Sequence, residues 1–478
     1  VKRERWSSDF GEWFRDIIER AGIVDYRYPV KGCGVWLPLG FKLRQHIIQI
    51  MRSELDSTGH EEMLFPTLVP QDLLAKEAEH IRSFEGESYW VTHGGTTPLD
   101  VKLALRPTSE TVITPMIKLW VRSHADLPKR LYQISSIFRY ETKATRPLIR
   151  LREVSTFKEA HSFHATHEDA LAQNAIANEV YTKIFDQLRV PYLLSKRPDW
   201  DKFAGALTTY AFDTIFPDGR SLQIGTTHDL GQNFGKAFDL TFETPQGTRE
   251  YVWQTSYGIS ERIIAAVIAI HGDDRGLVLP PTVAPIQAVI VPIPYKGVAE
   301  ELAKQCKKAK SELEQAGLRV KLDDRADATP GSKFYEWELK GVPVRVEIGP
   351  QDLAKNEITL VRRDTSERTR ASMSQLSQSV KGLIQEIEKS LGERAWKWLR
   401  DHVHRTNSLT EAKRLINEGK GVVEISWCGS ETCGNRIENE TEAKVLGIPC
   451  EEDAKLPPSE KCVCGAPSKH LARLARSY

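Results

Sequence analysis

The residues that first suggest chemistry in this chain are Phe138-Arg139-Tyr140-Glu141 and, beyond a basic loop carrying Lys143 and Arg146, Arg150-Leu151-Arg152-Glu153. The spacing Arg-x-Glu carries no information alone, because it recurs at Arg52/Glu54, Arg345/Glu347 and Arg436/Glu438. Context separates the first case: it closes an apolar strand, a turn-rich loop follows, and an arginine-rich strand returns. Such a hairpin can hold a triphosphate, since guanidinium forks match phosphate oxygens two at a time. The same residues also fit a solvated charged loop. A further arginine stands in Gly258-Ile259-Ser260-Glu261-Arg262, at the head of the apolar run Ile263 to Ile270. A cation opening a buried helix calls for an anion, either a helix-end ion pair or a ligand.

A second kind of chemistry is suggested near the C-terminus, by Cys428-x4-Cys433 and Cys462-x-Cys464. Four thiolates can close a tetrahedral structural zinc site with no open position for water. Four unrelated buried thiols are the alternative, and Cys450 is the candidate substitute ligand. Seven cysteines in 478 residues do not make a disulfide scaffold. No Ser-His-Asp arrangement is legible.

Three blocks of elements must position these groups. In the first, Phe41, Ile47, Ile48, Met51 and Leu55 form an apolar stripe that predicts a helix from Gly40 to Ser57, stopped by Gly59. Glu62 to Val69 then reads as a strand whose Pro66 restricts it to an edge or an interface. Further strands are expected at Leu131 to Tyr140, Leu148 to Phe157, Tyr210 to Ile215 and Ser221 to Thr227, with Asp218-Gly219 turning the last pair. Many strands on short turns argue for an antiparallel sheet flanked by helices. After Pro280-Pro281 and Pro285, strands and helices alternate as in a compact α/β unit. The fold class is therefore α+β, with boundaries at 1–283, 284–390 and 391–478.

Length and composition set limits. The chain is too long for one core. Its net charge of +1 means that any nucleic-acid partner must be held by local basic patches. Apolar runs stay far below the roughly 18 residues a membrane helix needs, and the charged first residues lack a secretory signal, so a cytoplasmic protein with no membrane contact is expected. The chain begins at Val1 rather than Met, so an initiator or short leader is expected upstream.

Taken together, the helix followed by a Pro66 strand, the Arg139/Glu141 hairpin and Gly258 to Arg262 resemble, in order and spacing, the three motifs of the class II aminoacyl-tRNA synthetases. Leu105-Arg106-Pro107-Thr108-Ser109-Glu110, Lys158-Glu159-Ala160-His161 and Gln223-Ile224-Gly225-Thr226-Thr227-His228 resemble the prolyl-tRNA synthetase family, in its archaeal and eukaryotic-like branch. This resemblance implies activation of proline by ATP and transfer to the 3′ end of tRNA for proline, by a homodimer without an editing domain. It implies that Arg139, Glu141 and Arg262 carry catalysis. Proline would meet Thr108, Glu110, Arg139, Phe157, His161, Phe203 and His228. ATP, with Mg²⁺, would meet Arg139, Glu141, Arg150, Leu151, Gln223, Thr226, Ser256, Gly258 and Arg262. Many relatives stack an aromatic on adenine where this chain has Val154, so the stacking residue stays unassigned. Zn²⁺ would be held by Cys428, Cys433, Cys462 and Cys464. The 284–390 unit would bind the anticodon, with Lys340, Glu347, Gly349, Arg362 and Arg363 at strand or loop ends, and the terminal Tyr478 would fold back toward the active site.

Overall fold

The computed structural model describes residues 3–76, 85–294, 297, 299–451, 456 and 460–478. The helices used below are α1 (Phe10–Arg20), α2 (Pro38–Asp56), α3 (Glu110–Trp120), α4 (His167–Gln187), α5 (Arg262–His271), α6 (Ala299–Gln315), α7 (Pro330–Leu339), α8 (Leu376–Asp401) and α9 (Glu431–Thr441). The strands of the first block are β1 (Glu61–Glu62), β2 (Leu68–Pro70), β3 (Tyr89–Gly94), β4 (Thr97–Leu105), β5 (Lys129–Phe138), β6 (Glu153–His164), β7 (Leu193–Lys196), β8 (Thr208–Ile215), β9 (Ser221–Gly231) and β10 (Trp253–Ile259). Those of the middle unit are β11 (Ala288–Pro292), β12 (Val320–Leu322), β13 (Val344–Ile348), β14 (Glu357–Arg362) and β15 (Arg368–Ser372). The C-terminal strands are β16 (Val403–Arg405), β17 (Val422–Trp427), β18 (Lys444–Pro449) and β19 (His470–Ala475).

An 11-stranded sheet in the order β16-β17-β19-β18-β7-β8-β9-β10-β6-β5-β1 runs through the molecule. From β18 to β5 its pairings are antiparallel, which leaves alternate side chains of each strand on one face for a site. The antiparallel centre agrees with the sequence reading. The sheet also joins two of the expected blocks, because β18 of the C-terminal unit pairs with β7. On the other face, α1, α2, α4 and α5 bury the largest core, which includes Trp13, Ile47, Met51, Tyr181 and Ile263 to Ile270.

Several elements depart from their predicted form. Pro38 starts α2 in the first turn, where its missing N–H costs nothing. The buried stripe uses Leu43, whereas Phe41 is exposed. The expected strand from Glu62 to Val69 is split into β1 and β2 around Pro66. In the gap, the Phe65 N–H donates to Gln133 Oε1 at 3.0 Å, and Arg106 Nη1 donates to the Phe65 carbonyl at 2.6 Å, so side chains replace the ladder there. β6 begins five residues later than predicted, at Glu153, because Leu148 takes a left-handed φ of 56° and Arg146 pairs with Arg150 in a tight loop.

The middle unit is a five-stranded sheet ordered β12-β11-β13-β14-β15, parallel over its first three strands and antiparallel after. Its first helix is described from Ala299; residue 298 lies outside the described residues. α8 crosses the expected boundary at residue 390 and continues to Asp401.

Candidate active site

One face of the central sheet carries a cavity of about 330 Å³. Into it project side chains from the turn before α3, the β5–β6 hairpin, β9, β10 and the start of α5, so residues far apart in the chain share one space. Of the predicted residues, Thr108, Glu110, Arg139, Glu141, Arg150, Leu151, Phe157, Phe203, Gln223, Thr226, His228, Ser256, Gly258 and Arg262 all line it. His161 does not.

His161 follows Phe157 and Glu159 on the same face of β6, but lies two residues, about 7 Å, beyond Glu159 along the strand. It is buried, with Nε2 3.5 Å from a Glu159 oxygen. It therefore backs the wall, and the cavity residue of that tetrapeptide is Glu159. Glu159 Oε1 accepts from Ser109 Oγ at 2.5 Å and from Gln133 Nε2 at 2.8 Å. The matched tetrapeptide contained Glu159 from the start, and strand parity with Phe157 was the signal that could have found it.

Thr108 and Glu110 are held together at the N-terminus of α3. The Thr108 hydroxyl donates to one Glu110 oxygen, and Ser256 Oγ donates to the other at 3.0 Å. Arg106 anchors the preceding turn through the carbonyls of Phe65 and Ser136. Opposite, Phe203 and His228 lie with ring centroids 4.6 Å apart. Thr209 Oγ1 fixes both, accepting from the Phe203 N–H at 3.0 Å and meeting His228 Nδ1 at 2.9 Å.

Three arginines, Arg139, Arg150 and Arg262, line the same cavity. Arg139 Nε donates to the Pro107 carbonyl at 3.2 Å, and Arg262 Nε donates to the Ile149 carbonyl at 3.0 Å. Burial pushes the Arg139 guanidinium below its usual range, against the pull of Glu87, Glu110, Glu159 and Glu141. Burial, then the charges of Arg139 and Arg150, push Arg262 down to about 10, with Asp213 and Glu141 opposing. Arginines gathered in one wall are organised for a polyanion. Glu141 accepts the Lys143 N–H at 3.2 Å and lies 3.8 Å from Arg150. Gly258 keeps the wall open beside Phe157, since a Cβ there would meet the ring at 3.3 Å.

Sequence reasoning missed Arg197, Asp201, Lys202, Thr209 and Glu261, all on the wall. Arg197 donates to Gln223 Oε1 at 3.1 Å and Asp213 at 3.0 Å, and also to the Leu446 carbonyl, tying the C-terminal unit to the cavity. Only tertiary structure brings Leu446 there. Glu261 stood next to Arg262 in the motif. It accepts from Ser155 Oγ at 2.6 Å and the Thr156 N–H at 2.8 Å, and burial lifts its carboxyl to about 7. Val154 lines the cavity with Leu148, Ile149 and Leu151.

One relay that the sequence reading did not see does occur. Ser162 Oγ lies 2.7 Å from His164 Nε2, whose Nδ1 meets Asp169 at 2.5 Å. Ser162 and His164 are fully buried, and none of the three residues lines the cavity, so the relay presents no accessible nucleophile.

The four cysteine sulfurs lie within 4.8 Å of one another. A tetrahedron with Zn–S near 2.3 Å has edges of about 3.8 Å, so this donor set fits zinc with small adjustments. Cys450 is exposed and outside the group. Tyr478 does fold back. Its N–H donates to the Ser221 carbonyl at 3.1 Å and its hydroxyl to Asp218 at 2.5 Å, while Arg146 of the β5–β6 loop lies 4.9 Å over its ring. Arg363 is buried in an ion pair with Asp273, so it is not presented for base reading. No helix among the described residues is long and apolar enough to cross a membrane.

Residues 89–271 match the tRNA synthetase class II core domain shared by the G, H, P, S and T enzymes. Residues 287–383 match an anticodon binding domain, and residues 409–478 match the C-terminal domain of prolyl-tRNA synthetase. The chain is 54% identical over 480 residues to a proline–tRNA ligase of Pyrococcus horikoshii, covering 100% of both chains. It is 54% identical over 481 residues to that of Aeropyrum pernix, covering 100% of this chain and 99% of the relative. A solved structure of Giardia lamblia prolyl-tRNA synthetase in complex with prolyl-adenylate is similar with a TM-score of 0.94 and 36% identity, over 100% of this chain and 99% of that one. A cavity lined by arginines and carboxylates on an antiparallel sheet, together with this full-length similarity, places the chain in the prolyl-tRNA synthetase family of class II aminoacyl-tRNA synthetases.

Proposed function

We propose that this chain activates proline with ATP and transfers it to the 3′ end of tRNA for proline. The observation that carries the reading is that Thr108 and Glu110 share one cavity with Arg139, Arg150 and Arg262. In this reading the secondary ammonium of proline gives one N–H to Thr108 and one to Glu110. The Thr108 hydroxyl donates to Glu110 and so keeps a lone pair for that purpose. Phe157, Phe203 and His228 wall the ring, and His161 acts only through Glu159.

Arg139 bridges the substrate carboxylate and the α-phosphate. One carboxylate oxygen attacks the α-phosphorus in line, the bond to the bridging oxygen breaks, and pyrophosphate leaves with that electron pair toward Arg150 and Arg262. In the second step the terminal ribose hydroxyl attacks the acyl carbon, the bond from that carbon to the phosphate oxygen breaks, and AMP departs with the electron pair while its phosphate takes up the hydroxyl proton. Neither step needs a side-chain nucleophile, so rate comes from positioning and from charge stabilisation at the transition state. Glu141 accepts the adenine amine, Gln223, Thr226, Ser256 and Gly258 border the nucleotide, and Leu151 lies beside Val154 on an aliphatic wall that replaces a stacked ring. Mg²⁺ would enter with the triphosphate and offset its charge.

Proline-dependent ATP–pyrophosphate exchange tests the reading, with alanine and cysteine as competitors. Absence of proline-dependent exchange by the purified chain would sink it.

Zn²⁺ on Cys428, Cys433, Cys462 and Cys464 is proposed as structural, and metal analysis after chelator-free purification should return about one zinc per chain. The units 1–283, 284–390 and 391–478 are proposed as catalytic, anticodon-binding and zinc-binding. A homodimer is proposed, supported by the exposed Leu64, Leu68, Leu119 and Trp120; a monomeric mass in sedimentation would exclude it. Cytoplasmic residence follows from the proposed role in protein synthesis. No editing domain is proposed, because the interval between β6 and β10 contains α4 and the sheet strands β7, β8 and β9.

A further inference from the structure

The last turn of α5 is a junction of three parts of the chain. Asp273, just past the helix, is gripped by Arg363, with Nη1 and Nη2 at 2.6 and 2.7 Å from the two carboxylate oxygens. Both side chains are 2% exposed. Arg363 follows β14 of the anticodon-binding unit, and its Nε donates to the Glu338 carbonyl of α7 at 2.8 Å. The backbone around Asp273 is equally fixed, because its carboxylate accepts the N–H of Arg275 at 2.8 Å and its carbonyl accepts Trp13 Nε1 at 2.9 Å. Arg3 donates to the His271 carbonyl at 2.9 Å, and Arg394 of α8 reaches the same oxygen at 3.4 Å. These cations satisfy the exposed carbonyl end of the helix.

A second polar clamp lies on the same interface. Glu388 of α8 accepts Arg189 Nε at 2.8 Å and both the N–H and hydroxyl of Thr282 at 2.6 Å. Apolar packing would hold two units together without setting their angle, whereas a bidentate ion pair has one geometry. Buried ion pairs add little net stability and act best as register devices. From Arg262 to His271 the helix is about 15 Å of continuous rod, buried from Ile263 on.

We propose that Asp273 and Arg363 are positioning residues that set the angle of the anticodon-binding unit on the catalytic sheet, so that a tRNA held by its anticodon presents its 3′ end at the cavity. This rests on the reading of the chain as a proline-charging enzyme. Neither residue touches substrate, and proline activation needs neither.

The test compares three rates in the full chain for Asp273→Asn and Arg363→Gln. These are proline-dependent pyrophosphate exchange, charging of a full-length tRNA transcript for proline, and charging of an acceptor-stem minihelix that lacks the anticodon arm. Exchange and minihelix charging are expected within about two-fold of the parent, while kcat/KM for full-length tRNA falls about ten-fold or more. If full-length and minihelix charging fall by the same factor, or neither falls, the proposal is overturned, because a general folding defect cannot distinguish the two RNAs. Where a single variant does not fold, the double variant Asp273→Leu with Arg363→Met, which leaves no lone buried charge, is measured with the same readouts. A parent enzyme without proline-dependent exchange would instead overturn the functional reading itself.

Discussion

Arg139 is half-buried, its Nε donates to the Pro107 carbonyl, and the charges of Glu87, Glu110, Glu159 and Glu141 favour its cationic form. Replacing it by alanine should cost at least about 3 kcal/mol of activation, the scale for losing a preorganised transition-state clamp. Near-normal pyrophosphate exchange by Arg139→Ala would contradict that role. Glu261 makes a different prediction. Its carboxyl is lifted by burial from 4.5 to about 7, so between those values the folded chain holds a proton that the unfolded chain has lost. Stability from this group is complete below about pH 4.5 and lost as pH rises toward 7. Glu261→Gln should flatten that decline, which is on the order of 3 kcal/mol at about 1.4 kcal/mol per pKa unit; denaturation midpoints measured from pH 5 to 8 check it. At this scale the sequence was legible where chemistry names the residue, as with the arginines. At His161 histidine chemistry was preferred over the neighbouring Glu159, whereas depth along the strand puts Glu159 on the cavity wall and His161 behind it.

The predicted helices and strands owe their legibility to period and punctuation, as in α5 and in β8, where local pattern and burial agree. Failures came where side chains substitute for backbone bonding. Pro66 interrupts the ladder, and Arg106 and Gln133 satisfy the gap, which no periodicity reports. The β3–β4 hairpin went unread because its strands are largely exposed and alternate weakly. The junction between β18 and β7 makes an element-scale prediction. Gly447 holds φ at 126° inside a register shift, and a Cβ there would stand 2.2 Å from the Lys196 carbonyl oxygen. Gly447→Ala should cost about 1–3 kcal/mol of stability, as expected for a residue forced into such a conformation, and should raise the KM for ATP. The second effect follows because Leu446 supplies the carbonyl that holds Arg197 against Gln223. An unchanged denaturation midpoint would refute the strain, and an unchanged KM would refute the link to the nucleotide.

Across the whole molecule, the cavity must choose proline over smaller amino acids by shape. Rejecting a substrate that is merely smaller by a methylene or so is worth only about 1–3 kcal/mol, so alanine should be activated at a measurable fraction of the proline rate. With no editing domain in the fully described interval between β6 and β10, alanyl-tRNA should then persist when incubated with the enzyme. Its hydrolysis at a rate well above the spontaneous one would contradict the prediction, and the assay needs only labelled alanyl-tRNA. The sequence by itself determined the chemistry and the broad class, because arginine forks, thiolate pairs and motif order are local properties of the chain. Tertiary structure alone decided that the C-terminal strands extend the catalytic sheet, that Leu446 reaches Arg197, that Tyr478 lies under Arg146 and that Arg363 is locked to Asp273. Each of these joins residues distant in the chain through burial and hydrogen bonds, and such pairings depend on where whole elements pack, which no local pattern of residues records.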